Sequence, residues 1–77
     1  MPLINVKLIE NVFTTEQKKE MIEKITDCMV SIEGENMRGV TWVCVEEVKT
    51  GDWGIGGQCL TTEMVHELQK GQPAEVC

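Results

Sequence analysis

Residues 3–9, LINVKLI, decide the fold, because β-branched and other apolar letters are interrupted there only by Asn5 and Lys7. This composition favours a β-strand that is mostly buried on both faces. Residues 40–48, VTWVCVEEV, have the same nearly continuous apolar character as far as Glu46. The two segments predict two strands of one sheet.

An amphipathic helix is predicted between the two strands. Thr14, followed three residues later by Gln17, forms a capping box at its start. Apolar residues then recur at helical spacing as far as Ile32, and Gly34 supplies a stop. Residues 35–39, ENMRG, read as a polar loop. Strand, helix and strand in this order predict a βαβ unit with parallel strands and a right-handed crossover.

The C-terminal part of the chain predicts smaller elements. Four glycines fall within residues 49–58, KTGDWGIGGQ, and such a density indicates a tight turn or a small hairpin. Residues 60–71, LTTEMVHELQKG, predict a short capped helix, and residues 72–77 an irregular tail. We therefore expect a single α/β (α+β) domain over residues 1–77.

Composition excludes several classes of function. The chain carries thirteen acidic and seven basic residues, a net charge of −6, which argues against nucleic-acid binding. No apolar run is long enough to cross a membrane. Lys7 interrupts the only apolar stretch near the start, so we expect no signal peptide and a cytoplasmic location.

The four cysteines, Cys28, Cys44, Cys59 and Cys77, have no metal-ligand spacing, and the single histidine, His66, has no cysteine near it in a zinc pattern. We expect reduced thiols, no metal and no cofactor. A chain of this length has a marginal core of its own. One helix over two parallel strands also leaves a sheet face and both edges bare. These features predict a homo-oligomer with its active site where subunits meet.

Pro2 is the most credible reagent in the sequence, although a proline is also tolerated as a simple spacer at the start of a strand. If Met1 is removed, Pro2 carries a free secondary amine, and α-amines titrate near neutrality. A base of that kind can both take and return a proton. Glu46 and Glu47 are weaker candidates, because neighbouring strand residues point to opposite faces. His66 is interpreted as a surface residue.

These features together resemble the 4-oxalocrotonate tautomerase family. The resemblance is carried by Pro2 at the start of a strand, by residues 14–27, TTEQKKEMIEKITD, and by residues 46–57, EEVKTGDWGIGG. It runs from Pro2 to about residue 57. Membership implies a β-α-β protomer, usually assembled as a hexamer built from dimers.

The resemblance also implies a mechanism and a pocket. Met1 would be removed, and the amine of Pro2 would shuttle a proton between the enol and keto forms of a small carboxylate substrate. Trp53, the aromatic residue of the hairpin, would line the pocket. Ile9, at the end of the first strand, would lie beside it.

Two departures from the family concern substrate binding. Its best-known members use two arginines to bind a dicarboxylate, and this chain has residues 11–13, NVF, and Trp42 at those places. Arg38, the single arginine, could partly substitute, because guanidinium grips carboxylate bidentately; the other interpretation is a loop arginine in solvent. Trp42 and Trp53 suggest an aromatic or monocarboxylic substrate.

The leading hypothesis is a tautomerase or isomerase acting on small enolisable 2-oxo acids, with Pro2 as general base and then general acid. One alternative is a non-catalytic oligomeric binding protein of the same fold. Two others are a hydratase or dehalogenase, for which Asp52, adjacent to the hairpin aromatic Trp53, would be the candidate carboxylate, and an enzyme that forms an iminium on Pro2.

Overall fold

The computed structural model describes residues 1–71, and the tail 72–77, including Cys77, lies outside the described residues. The elements follow the predicted order and confirm the β-α-β unit, the C-terminal hairpin and the short helix. They are β1 (Leu3–Ile9), α1 (Thr15–Glu33), a 3₁₀ helix (Glu35–Val40), β2 (Trp42–Val48), β3 (Trp53–Ile55), β4 (Gln58–Leu60) and α2 (Thr62–Gln69).

β1 and β2 pair side by side in a two-stranded parallel sheet. Near the start of both strands the amide of Trp42 donates to the carbonyl of Pro2 at 3.0 Å. Near their ends the amide of Glu10 donates to the carbonyl of Val48 at 2.8 Å. Because the starts pair together and the ends pair together, the strands run in the same direction, as the βαβ prediction requires.

The predicted caps set the limits of α1. The amide of Gln17 donates to the Thr14 hydroxyl at 3.1 Å, and the amide of Thr14 donates back to the Gln17 side chain at 2.9 Å. This reciprocal pair satisfies two backbone donors that the first turn leaves open. At the other end Gly34 donates to the Val30 carbonyl at 2.8 Å and turns the chain with φ of 103°. The helix prediction is confirmed at both ends.

The segment after α1 differs from the prediction. Residues 35–39 were expected to form a polar loop, yet they belong to the 3₁₀ helix, and β2 begins at Trp42 rather than Val40. Thr41 explains the delay: its amide donates to the Arg38 carbonyl at 3.3 Å, and its hydroxyl lies 2.8 Å from the Met37 carbonyl. These bonds hold Val40 and Thr41 in the turn despite their β-branched side chains.

The glycine-rich segment is a β-hairpin, as predicted. β3 and β4 are antiparallel, and Ile55 pairs with Gln58 across a two-residue loop. The loop residues Gly56 and Gly57 have φ of 59° and 85°. Two successive positive φ angles define the tight hairpin turns that match strand twist, and glycine adopts them without strain.

The described residues group into two compact units. The first comprises residues 1–6 and 14–46, and the second comprises, among the described residues, 7–13 and 47–71. Val30 is buried in the first unit. Ile9, Leu60 and Thr62 are buried in the second. The single domain over residues 1–77 stays a prediction.

Exposure alternates along β1, which corrects the expectation that this strand is buried on both faces. Leu3 and Asn5 are exposed, whereas Ile4 and Val6 are half-buried. The alternation is that of a sheet with one covered and one bare face. The bare face that the sequence predicted is therefore present in the single chain.

Candidate active site

Pro2 lies immediately before β1 and is half-buried. Its carbonyl accepts the amide of Trp42, so the start of β2 fixes its position. Met1 projects away, with 81% of its surface exposed. While Met1 is attached, the Pro2 nitrogen is an amide and has no basicity; after its removal, the same atom is a secondary amine on a rigid ring. The backbone contact holds that ring at the start of the sheet.

Two large apolar side chains next to Pro2 are exposed to solvent. Leu3 is 65% exposed and Trp42 is 55% exposed. Further along the strands, two positions after Leu3 and four after Trp42, the side-chain amide of Asn5 donates to Oε1 of Glu46 at 2.9 Å. Since side chains on one face recur every two residues, this contact places Leu3 and Trp42 on the same bare face. Pro2 and Trp42 are thus brought together, at the start of an apolar surface.

Arg38 is bound to carboxylates of its own chain. Its Nε and Nη2 donate to the two carboxylate oxygens of Glu35 at 2.8 and 3.2 Å, and its Nη1 donates to Asp27 at 2.8 Å. The Arg38 hydrogen bonds lower the pKa of Glu35, and those of Glu35 and then Asp27 raise the pKa of Arg38. The side chain remains 44% exposed. Its expected role as a substrate anchor stays a prediction, but the guanidinium already has two partners.

An open groove of about 470 Å³ lies beside Arg38. Its lining residues all belong to α1 and the 3₁₀ helix: Ile22, Glu23, Thr26, Asp27 and Arg38. Neither Pro2 nor Trp42 lines it. The groove is therefore a feature of the helix surface and not of the start of the sheet.

The other two predicted site residues belong to the second unit. Ile9 is buried at the end of β1. Trp53 is half-buried at the start of β3 and pairs in register with the buried Leu60. Their predicted role as pocket walls stays a prediction.

Glu10 is the centre of a polar network that sequence reasoning missed. Its carbonyl accepts the Thr62 hydroxyl at 2.7 Å, and its carboxylate accepts the amide of Thr50 at 3.0 Å. The Thr50 hydroxyl in turn accepts the amide of Thr62 at 3.0 Å. No local sequence motif indicates this network, because its members are distant in sequence. It joins the ends of β1 and β2 to the start of α2.

Asn11 continues this network. It adopts a left-handed conformation with φ of 62°, and its amide lies 3.3 Å from Oε2 of Glu47. Its carbonyl lies 3.1 Å from Nε2 of His66, which therefore carries the proton of that contact. His66 was predicted to be a surface residue; it is half-buried and fixes the segment after β1. Glu46 accepts a hydrogen bond from the Asn5 side chain, and Glu47 accepts one from the Asn11 amide.

Cys28, Cys44 and Cys59 are exposed free thiols. Across residues 1–71 no group of three His, Cys, Asp or Glu side chains is arranged to hold a metal ion. In the same part of the chain no helix is both long and apolar enough to cross a membrane.

Comparison with known proteins identifies the class of protein. The family model described as tautomerase enzyme matches residues 2–63. "Probable tautomerase K2" of Dickeya dadantii is 39% identical over 61 residues, covering 79% of this chain and 90% of that protein. A "probable tautomerase" of Helicobacter pylori is 39% identical over 72 residues, covering 91% and 97%.

Solved structures agree with the sequence comparison. A structure from work on the 4-oxalocrotonate tautomerase isozymes of Methylibium petroleiphilum superimposes with a TM-score of 0.68 at 36% identity, covering 75% of this chain and 90% of that one. DmpI from Helicobacter pylori gives a TM-score of 0.65 at 33% identity, covering 80% and 97%.

The chain belongs to the tautomerase family. Its structural neighbours are homologues of 4-oxalocrotonate tautomerase, which confirms the resemblance recognised in the sequence. Membership supports a tautomerase-like, isomerase-type activity.

Proposed function

We propose that Pro2, once freed by removal of Met1, interconverts the enol and keto forms of small 2-oxo acids. The observation that carries this proposal is the contact between the Trp42 amide and the Pro2 carbonyl. Because that bond and the proline ring together restrict the nitrogen, little rotational freedom is lost when it meets a substrate. The exposed Met1 supports access for its removal.

The proton moves from oxygen to carbon. The neutral amine of Pro2 takes the proton of the enol hydroxyl, and the resulting ammonium returns it to the neighbouring carbon, giving the ketone. No redox step or cofactor is involved. An α-amine has an ordinary pKa of about 7.7–8.0. Apolar surroundings such as Leu3 and Trp42 disfavour the ammonium form, which favours a base that is neutral near pH 7.

The carboxylate and enolate oxygens need hydrogen-bond donors, for which the sequence predicted Arg38 or backbone N–H groups. The bonds from Arg38 to Glu35 and Asp27 favour backbone donors. Preorganised donors of this kind are typically worth about 3–4 kcal/mol in a transition state.

The pocket would be completed by assembly. Trp53 and Ile9 are proposed as apolar walls, supported by the family resemblance. The bare sheet face with Leu3 and Trp42 supports a homo-oligomer, because exposed apolar surface of this kind is normally covered. A hexamer and a cytoplasmic location stay predictions.

The test begins with intact mass, which shows whether Met1 is absent from the mature protein. Turnover of the enol form of phenylpyruvate is then compared for the wild type and Pro2→Ala. We expect kcat to fall by roughly 10²-fold or more, the usual contribution of a positioned general acid–base group.

A matched control keeps Pro2 but removes its basicity. Inserting a lysine after Met1 blocks methionine removal and leaves the proline nitrogen as an amide. This variant should lose turnover at least as severely as Pro2→Ala. Wild-type rates in both variants would overturn the proposal and favour the non-catalytic binding protein.

A further inference from the structure

We infer that Glu10 is a positioning residue, which holds the β3–β4 hairpin at both of its ends and thereby fixes the position of Trp53. This inference rests on the proposed function in one respect, the role of Trp53 as an apolar wall for the substrate. The contacts that hold the hairpin all lie within the second of the two units. Glu10 acts through Trp53 and not on the substrate itself.

The β3–β4 hairpin is too small to keep its shape alone. Each of its strands has three residues, and an isolated two-stranded hairpin is marginally stable at best in water. Residues 54–59 are exposed, whereas Trp53 is half-buried and Leu60 is buried at the base. The position of the hairpin therefore depends on contacts at its base.

Glu10 contacts the segment that enters the hairpin. Its carboxylate accepts the amide of Thr50 at 3.0 Å, three residues before Trp53. A carboxylate is a strong acceptor for a backbone amide, because the bond is charge-assisted. The amide of Gly51 then donates to the carbonyl of Leu60 at 3.2 Å. Leu60 pairs in register with Trp53, so hydrogen bonds and strand pairing connect Glu10 to the indole-bearing residue.

Glu10 also contacts the segment that leaves the hairpin. Thr62, two residues after Leu60, is buried, and its hydroxyl donates to the Glu10 carbonyl at 2.7 Å. The amide of Thr62 donates to the Thr50 hydroxyl at 3.0 Å, which joins the two ends of the hairpin to each other. The amide of Glu10 donates to the Val48 carbonyl at 2.8 Å. One residue after β1 therefore fixes both the entry and the exit of the hairpin.

The effect on catalysis should appear in KM. An apolar wall contacts the substrate equally in the ground and transition states, and the loss of such a contact raises KM with little change in kcat. One aromatic contact corresponds to about a threefold to tenfold change in affinity. A displaced Trp53 should therefore weaken substrate binding by that factor.

The experiment measures turnover of the enol of phenylpyruvate in the wild type, Glu10→Ala, Glu10→Gln and Trp53→Ala. Glu10→Ala should raise KM by about threefold to tenfold and leave kcat within about twofold. Glu10→Gln keeps a side-chain oxygen that can accept the Thr50 amide, so it should restore most of the wild-type KM. Trp53→Ala should raise KM at least as much as Glu10→Ala.

Glu63→Ala is the matched control. It removes an exposed carboxylate from the first turn of α2, in the same unit, and should leave KM unchanged. An equal rise of KM in Glu63→Ala and Glu10→Ala would overturn the inference, because charge alone would then explain the effect. It is also overturned if Trp53→Ala leaves KM unchanged, or raises it while Glu10→Ala does not.

Fluorescence reports the position of Trp53 without turnover. In a Trp42→Phe background Trp53 is the only tryptophan of the chain. Adding Glu10→Ala should shift its emission to longer wavelength and increase quenching by acrylamide, and Glu10→Gln should reverse both changes. If Pro2→Ala keeps wild-type turnover while these changes occur, only the proposed function fails. Unchanged emission in Glu10→Ala, shown by circular dichroism to be folded, overturns the inference by itself.

Hydrogen exchange in the wild type tests the same contact if Glu10→Ala does not fold. Thr50 is exposed, so its amide would exchange rapidly without a hydrogen bond. Bonded to the Glu10 carboxylate, it should exchange at least about tenfold more slowly than a freely exposed amide. Exchange at the unprotected rate would overturn the inference.

Discussion

The two ends of the parallel strand pair are built differently. At the start, Leu3 and Trp42 are exposed, and one backbone bond joins Trp42 to Pro2. At the finish, Ile9 is buried, and Glu10 bonds through its amide, its carbonyl and its carboxylate. The single chain covers the end of the strand pair with its own residues and leaves the apolar side chains at the start exposed.

This difference matters for function because the open end carries the proposed reagent. A residue that must meet a substrate cannot be enclosed by its own chain. The contrast therefore separates residues that stabilise the chain from residues that are available for binding.

The largest expected difference is between Ile9→Ala and Leu3→Ala. Removing the buried side chain of Ile9 should lower the free energy of unfolding by about 2–5 kcal/mol, because it leaves a cavity. Leu3→Ala should cost under about 1 kcal/mol in dilute protein, because Leu3 is exposed in the single chain. Urea denaturation at several protein concentrations measures both.

Assembly of several copies should make the difference between Leu3→Ala and Ile9→Ala depend on protein concentration. If other copies cover the open end, the cost of Leu3→Ala should grow with protein concentration, and light scattering should show smaller species. The cost of Ile9→Ala should not depend on concentration. Equal and concentration-independent losses would mean that the two ends do not differ as described.

Thr62→Val tests the polar network at the closed end. Valine keeps the shape but removes the hydroxyl that donates to the Glu10 carbonyl, leaving that acceptor without this partner. We expect a loss of about 1 kcal/mol in unfolding free energy, the usual net contribution of a hydrogen bond, because this contact is only partly buried.

Thr26→Val is its matched control. The Thr26 hydroxyl also donates to a backbone carbonyl, that of Ile22, at 2.7 Å, but on the surface of α1. This change should stay within about 0.5 kcal/mol. Losses of the same size for Thr26→Val and Thr62→Val would contradict the claim that the Thr62 hydrogen bond stabilises the fold more than a surface hydrogen bond does.

The smallest effect concerns the exposed ion pairs of Arg38. Its hydrogen bonds lower the pKa of Glu35 from the ordinary 4.5. A carboxyl with a lowered folded-state pKa stabilises the fold above its ordinary pKa and loses that contribution as the pH falls through the lowered value. NMR titration should therefore find the Glu35 midpoint below 4.5.

Arg38→Met should return that midpoint towards 4.5, because the hydrogen-bond donors are gone. Stability at neutral pH should hardly change, since both partners are exposed to solvent. An unchanged Glu35 midpoint in Arg38→Met would show that the contacts do not persist in solution.

Sequence reasoning worked where the determinants are local. The capping box at Thr14 and the paired glycines at 56 and 57 each act within a few residues. The prediction was wrong at residues 35–41. The hydroxyl of Thr41 bonds with the carbonyl of Met37, four residues earlier, and this contact outweighs the strand preference of the β-branched residues Val40 and Thr41.

In the candidate site, too, residues with a local signal could be predicted and residues that depend on distant contacts could not. Pro2 could be chosen from the chemistry of its nitrogen and from a family resemblance. The Glu10 and Thr62 pair could not, because the two residues lie far apart in sequence and neither has a distinctive motif. The partners of Arg38 were missed for a related reason, since a lone arginine does not reveal whether its own chain already binds it.

The most direct test of the central claim is the titration of the Pro2 nitrogen itself. In the mature protein labelled with ¹⁵N-proline, this nitrogen should titrate at or below about 7.7–8.0, the ordinary range of an α-amine. The same pKa should appear in the pH dependence of kcat/KM, with activity rising as the ammonium loses its proton. A Pro2 nitrogen that does not titrate, or whose pKa differs from the kinetic one, would contradict the account.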